Sequence, residues 1–166
     1  MCARVTSMLC LLWVLQGCSY TSAPAPAVFP APNRTIDVVE LTTKQIQAAY
    51  AAGEYTAVEL TQAFLDRIEL HEGHYNAMIS MNPDALAVAA ALDREYASGR
   101  LRSPLHGVPV VIKDNLDYSG LVTTAGYSGF SAATGGVDMI PSDDAAAVER
   151  LRDAGAIVLG KTNLPD

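Results

Sequence analysis

Two short apolar runs, with a long polar crossing and one amphipathic segment between them, limit what this chain can fold into more than any other feature. Val108-Pro109-Val110-Val111-Ile112 is continuous and β-branched, the pattern of a buried strand. Pro109 falls at its start, where no ladder donor is needed. Ala156-Ile157-Val158-Leu159 is the second run. Between them a helix is expected through Val148 and Leu151, capped by Ser142 or Asp143 and closed by Gly155. A strand, a crossing and a helix that returns to an apolar strand is α/β architecture.

The residues ahead of the first run read as helices packed outside that sheet. Thr42 with Gln45, and Thr56 with Glu59, are capping-box pairs that satisfy two orphan donors at a helix start. The first opens a helix with Ile46, Ala49 and Tyr50 on one face and a stop at Gly53. The second opens a helix with Leu60, Phe64, Leu65 and Ile68 on one stripe, running to about His71. A strand is expected within residues 75–81. Asn82 as cap and Pro83 at the first helical position then start a third helix. Leu86, Ala89, Ala90 and Asp93 form its small face, and Gly99 ends it.

Composition narrows the function classes. The chain has 166 residues, half of them hydrophobic, and a formal net charge of −7. An acidic chain without a basic block argues against nucleic acid as a partner. The three cysteines, Cys2, Cys10 and Cys18, all lie in the first 18 residues, so the rest of the chain offers no disulfide framework and no cysteine metal site. His71 and His74 have the i, i+3 spacing of a metal pair but sit at a helix end without an evident third ligand. A solvated helix terminus is the reading adopted, and no metal is expected.

The N-terminus carries its own signal. Arg4 precedes the apolar run Met8-Leu9-Cys10-Leu11-Leu12-Trp13-Val14-Leu15, far short of the ~20 residues that span a bilayer. An export signal is the natural reading. Leu15-Gln16-Gly17-Cys18 then resembles a lipobox. That resemblance implies cleavage after Gly17, lipidation of Cys18 and a mature chain that starts there. Ser19 in place of Asp favours sorting to the outer membrane, on the periplasmic side. The protein would thus be anchored in the cell envelope by acyl chains rather than span it. Pro24, Pro26, Pro30 and Pro32 mark an extended tether over residues 18–35. The division is therefore signal 1–17, tether 18–35 and folded part 36–166.

Lys113 follows five apolar residues at the end of a strand, and the carboxyl ends of strands in open sheets are where sites are built. An amine there becomes a base when burial lowers its pKa. Read from the residues alone, a solvated lysine paired with Asp114 or Asp117 is the simpler account. Three other positions invite attention. His106 precedes Gly107 and is read as a packed loop histidine. Ser128, in Gly126-Tyr127-Ser128-Gly129, lacks the glycine two residues on that a nucleophile elbow requires, because Phe130 stands there. The segment Gly155 to Thr162 matches the letters of a phosphate loop ending in Gly160-Lys161-Thr162. Such a loop follows its strand, however, and here the apolar strand lies inside the motif.

The segment from Pro104 to Asn115 resembles the lysine motif of amidase-signature enzymes. Gly120, the run Thr123-Thr124-Ala125-Gly126, residues 144–151 and the run from Ala154 to Asn163 follow in that family's order. The resemblance covers roughly residues 36–166. It implies the N-terminal part of the amidase-signature fold, a mixed sheet covered by helices and incomplete in this chain. It further implies a hydrolase of carbon–nitrogen amide bonds with a Ser–cis-Ser–Lys triad, no cofactor, and a small amide or peptide-amide substrate. By that resemblance Lys113 is the triad lysine. Both serines of the family lie in a Gly/Ser-rich stretch beyond the Gly-Lys-Thr-Asn block, so only the lysine is assigned here.

Three alternatives stand beside this reading. One is an inactive truncated fragment, whose open sheet edge predicts poor solubility. A second is a non-catalytic lipid-anchored binding protein, and a third is a nucleotide binder built on Lys161.

Overall fold

Two threonines set the start of the structure. The computed structural model describes residues 35–164; the expected signal segment, Cys18 and the tether up to residue 34 lie outside the described residues. The first helix, α1 (Thr43–Ala52), begins at Thr42, whose hydroxyl accepts the Gln45 N–H while the Gln45 side chain accepts the Thr42 N–H. Gly53 closes it in the left-handed region. Helix α2 (Ala57–Tyr75) repeats the device with Thr56 and Glu59. Such a cap contributes about 1 kcal/mol. At α2 the Asp93 carboxylate adds to it, accepting the N–H groups of Ala57 (2.8 Å) and Val58 (3.1 Å) at the positive end of the helix dipole.

Helix α2 runs one turn beyond the expected end at His71. Gly73 is absorbed within it, and Asn76, left-handed at φ 48°, caps it through its N–H to Glu72 O. The strand expected within 75–81 is accordingly shorter: β1 covers Met78–Met81. Helix α3 (Ala85–Ala97) starts later than the sequence suggests. Asp84, not Asn82, stands at its cap position, and Asn82 is shared between the sheet and the turn before the helix. Its Nδ2 donates to Val158 O (2.7 Å) and to the Tyr118 hydroxyl (3.3 Å), and its Oδ1 accepts the Asp84 N–H. The buried face of α3 is Ala85, Ala89 and Leu92. Of the expected face, Ala89 is in the core and Asp93 serves as the cap of α2.

The remaining elements are β2 (Pro109–Lys113), two 3-10 turns (Ser128–Phe130 and Ala132–Thr134), α4 (Ala146–Asp153) and β3 (Ile157–Thr162). Ala145, not Ser142 or Asp143, stands at the cap of α4. Asp144 is held elsewhere, by the Ser119 N–H and by Arg152. The sheet order is β1-β3-β2, with β1 antiparallel and β2 parallel to β3. This is the mixed sheet of an α/β fold. The central strand β3 is buried on both faces, as its apolar run requires. Ile157 and Leu159 face the helical core with Leu60, Ala89 and Leu92. Val158 faces a second core with Ile112, Leu121 and Val148.

Strand β2 is an edge of the described sheet, not a buried strand. Ile112 is buried, whereas Val111 is 48% exposed. The exposed face joins α2 in an apolar groove of about 530 Å³ lined by Phe64, Ile68, Tyr75, Met78 and Val111. The ladder between β2 and β3 contains one extra residue: Val110 pairs with Val158, but Val111 pairs with Gly160. Leu159 and Gly160 together therefore oppose one residue, which is a β-bulge.

Gly160 is required at this bulge. A Cβ there would lie 2.4 Å from Ser80 O and 3.1 Å from Met81 Cα. Both are backbone atoms of β1 and cannot swing aside. Gly160→Ala is expected to cost about 2–3 kcal/mol by overpacking, read as a lower urea midpoint; an unchanged midpoint would show that β1 shifts freely.

Candidate active site

Alternation along β2 sends neighbouring side chains to opposite faces, and the last two residues of this edge separate accordingly. Lys113 lies on the face of Pro109 and Val111. Its Nζ donates to Asn163 O at 2.7 Å, just past the end of β3, and the side chain is exposed. The expectation of a desolvated amine is therefore not met by the described residues alone. Among them, no carboxylate lies within ion-pair distance of Lys113.

Asp114 turns the other way. Its N–H continues the ladder to Thr162 O (3.1 Å), and its carboxylate is completely buried. Oδ2 accepts the Thr124 N–H (3.1 Å) and the Thr124 hydroxyl. Oδ1 makes an ion pair with Lys161 Nζ at 3.2 Å, a charge contact rather than an aligned hydrogen bond. Asp114 is thus not the solvated partner of Lys113 that the sequence suggests.

Lys161 owes its position to the bulge. Without the extra residue in β3, position 161 would face opposite Val158. With it, Lys161 pairs with Ile112 and enters the same side as Val158, beneath the loop that carries Thr123 and Thr124. Its amine is fully buried and also donates to the Thr123 hydroxyl and to Val122 O (3.3 Å). Desolvation pushes this amine below its ordinary value, while the adjacent Asp114 carboxylate opposes that shift. An ammonium enclosed by three protein oxygens cannot reach a phosphate. The nucleotide reading of Gly160-Lys161-Thr162 is thereby corrected: the segment is the centre of a sheet.

The other candidates are structural. His106 is 2% exposed, with Nε2 3.1 Å from Leu92 O and Nδ1 3.4 Å from the Arg102 N–H. The backbone N–H makes Nδ1 the acceptor and leaves Nε2 as the donor, so neither nitrogen is available as a base. Ser128 is exposed in a 3-10 turn. The rings of His71 and His74 pack about Tyr75, at 6.2 and 4.9 Å between centroids. Asp114, Thr123 and Thr124 are not legible as a set in the sequence, because they meet only across the sheet and a loop. The one local signal is Gly160 inside an apolar strand, a mark of bulges and close backbone approach.

Residues 59–166 match the Amidase family. Among curated proteins, the chain is 40% identical over 131 residues to a glutamyl-tRNA(Gln) amidotransferase subunit of Renibacterium salmoninarum. That alignment covers 78% of this chain and 24% of the relative. The corresponding protein of Chloroflexus aurantiacus is 43% identical over 127 residues, covering 74% and 24%. Among solved structures, the native peptide amidase of Stenotrophomonas maltophilia superposes with a TM-score of 0.69 at 43% identity, covering 82% of this chain and 26% of that one. A fatty acid amide hydrolase superposes at 0.64 with 25% identity, over 75% and 21%. The chain thus spans about a quarter of the length of the relatives it matches. With the family matched over most of its residues and the same mixed sheet shared with solved members, this chain belongs to the amidase family.

Proposed function

We propose that the protein to which this chain belongs hydrolyses a carbon–nitrogen amide bond, with Lys113 as the proton-handling lysine of a Ser–cis-Ser–Lys triad. One observation carries the reading. The motif from Pro104 to Asn115 and the motif from Ala154 to Asn163 meet at the carboxyl end of β2, and the Lys113 amine bridges them through Asn163 O. Two motifs brought together at a strand end by folding stand where an open sheet supports chemistry.

The two serines are assigned to the three quarters of the relatives' length that this chain does not span. In the proposed cycle the first serine oxygen attacks the amide carbonyl carbon. Its proton passes to the second serine, whose own proton passes to neutral Lys113. The C–N bond breaks, the amine departs with a proton returned along the same path, and water hydrolyses the acyl-enzyme. Only the neutral amine can begin this sequence, so turnover falls as the medium is acidified. Small amides and peptide amides are the proposed substrates, by analogy with the peptide amidase. The test is turnover of such an amide by the complete protein with Lys113 replaced.

The protein is further proposed to be lipid-anchored at Cys18 in the cell envelope, supported by the Leu15-Gln16-Gly17-Cys18 sequence. No helix among the described residues is long and apolar enough to cross a membrane. Cys18→Ala is expected to move the protein from the membrane to the soluble fraction of lysed cells. Continued sedimentation with membranes would remove the anchor.

A further inference from the structure

A base at position 113 must spend part of each cycle uncharged, yet the next residue is an aspartate. We infer that the buried Asp114–Lys161 pair is the positioning device of Lys113: Lys161 holds the Asp114 carboxylate on the far face of the sheet and cancels its charge, leaving Lys113 without a counter-ion at the strand end. The catalytic consequence rests on the amidase reading; the electrostatic relation rests on the geometry alone.

The geometry is specific. Lys113 ends β2 and Asp114 follows it, with Asp114 N–H bonded to Thr162 O, so fixing one side chain fixes the direction of the other. Asp114 is held by Thr124 on one oxygen and Lys161 on the other, and neither Asp114 nor Lys161 is exposed. Lys161 reaches this side only because of the bulge at Leu159 and Gly160. The remaining charged groups at this corner are few. Asp117, on the turn after β2, acts on Lys161. Helix α2 brings Arg67, His71 and Glu72 to the face of Val111, and Glu72 is engaged by the Met78 N–H. The acceptor touching Lys113 itself is the neutral carbonyl of Asn163, which does not hold an amine in its charged form as a carboxylate would.

The inference is tested by the titration of the Lys113 amine in the complete protein, followed by trace acetylation with acetic anhydride across pH and mass spectrometry of the peptide containing Lys113. Lys161→Met leaves the Asp114 charge uncancelled and should raise the midpoint by about half a pH unit, a roughly threefold loss of neutral amine at a given pH. Asp114→Asn keeps an acceptor for Thr124, leaves Lys161 unopposed and should lower the midpoint by a similar amount. Near-UV circular dichroism establishes which variants fold; if Lys161→Met does not, the near-isosteric Asp114→Asn decides. A midpoint unmoved in every folded variant overturns the inference. Should the midpoint move while Lys113→Ala retains full turnover, the electrostatic relation stands and the triad assignment falls. Should Lys113→Ala be inactive with the midpoint unmoved, the reverse holds.

Discussion

The complete protein carrying Lys113→Ala is expected to lose about 10²–10⁴-fold in kcat, the range for a positioned acid–base group, while its thermal unfolding changes little. The second half follows from the structure. Lys113 is exposed among the described residues, and its hydrogen bond is to a main-chain carbonyl at 2.7 Å. Removing it leaves one acceptor that water can satisfy and no buried charge uncovered. Lys113→Arg separates base from cation. Arginine keeps the charge but does not deprotonate in proteins, so it should be as inactive as alanine if the amine must accept a proton. The measurement is kcat on a small amide against pH for the three proteins. Near-normal turnover in Lys113→Ala would remove the triad assignment, and recovery in Lys113→Arg would reduce the lysine to a fixed charge.

Asp114→Ala is expected to have the largest effect on stability, about 3–5 kcal/mol, the usual cost of removing one partner of a buried ion pair. The Lys161 ammonium would remain enclosed with only Thr123 and Val122 O as partners, and the Thr124 N–H and hydroxyl would lose their acceptor. For a domain of this size that is a fall in Tm of roughly 10 °C. The loss should depend on pH in a definite direction. Burial already pushes the Lys161 amine below 10.5, and Asp114 is what opposes that shift. Without the carboxylate, the unfolded chain binds this proton more readily than the folded one. Stability of the variant therefore rises with pH toward about 10.5. Thermal melts at neutral and alkaline pH check both parts. A variant as stable as the parent at neutral pH would mean that water reaches Lys161.

Two lysines mark how far the residues alone can be read. Both stand at the ends of apolar runs, and both resemble catalytic motifs. Lys113 carries the more specific motif and does lie at a strand end. Lys161 matches the letters of a phosphate loop and is instead the buried cation of the sheet. The only local trace of the difference is Gly160, because it depends on a bulge that adds one residue to β3 and turns Lys161 to the other face. Asn82 and Asp93 make the same point. Asn82 suits a helix start and Asp93 the face of α3, but the groups they serve include β3, Tyr118 and the head of α2, far away in sequence.

Elements with local causes can be read directly from the residues. The capping boxes at Thr42 and Thr56, the stop at Gly53, the place of Pro109 at the head of β2 and the buried run of β3 each depend on residues within a turn or a strand length. Register, and the face on which a side chain emerges, are set only when the chain is folded. Folding pairs Asp114 with Lys161, leaves β2 at an edge with Lys113 facing outward, and closes His106 between Leu92 and Arg102. The cause is the two-residue period of a strand: one extra residue reverses every side chain that follows it, and nothing within a few residues of Lys161 records on which side of the sheet Asp114 will be.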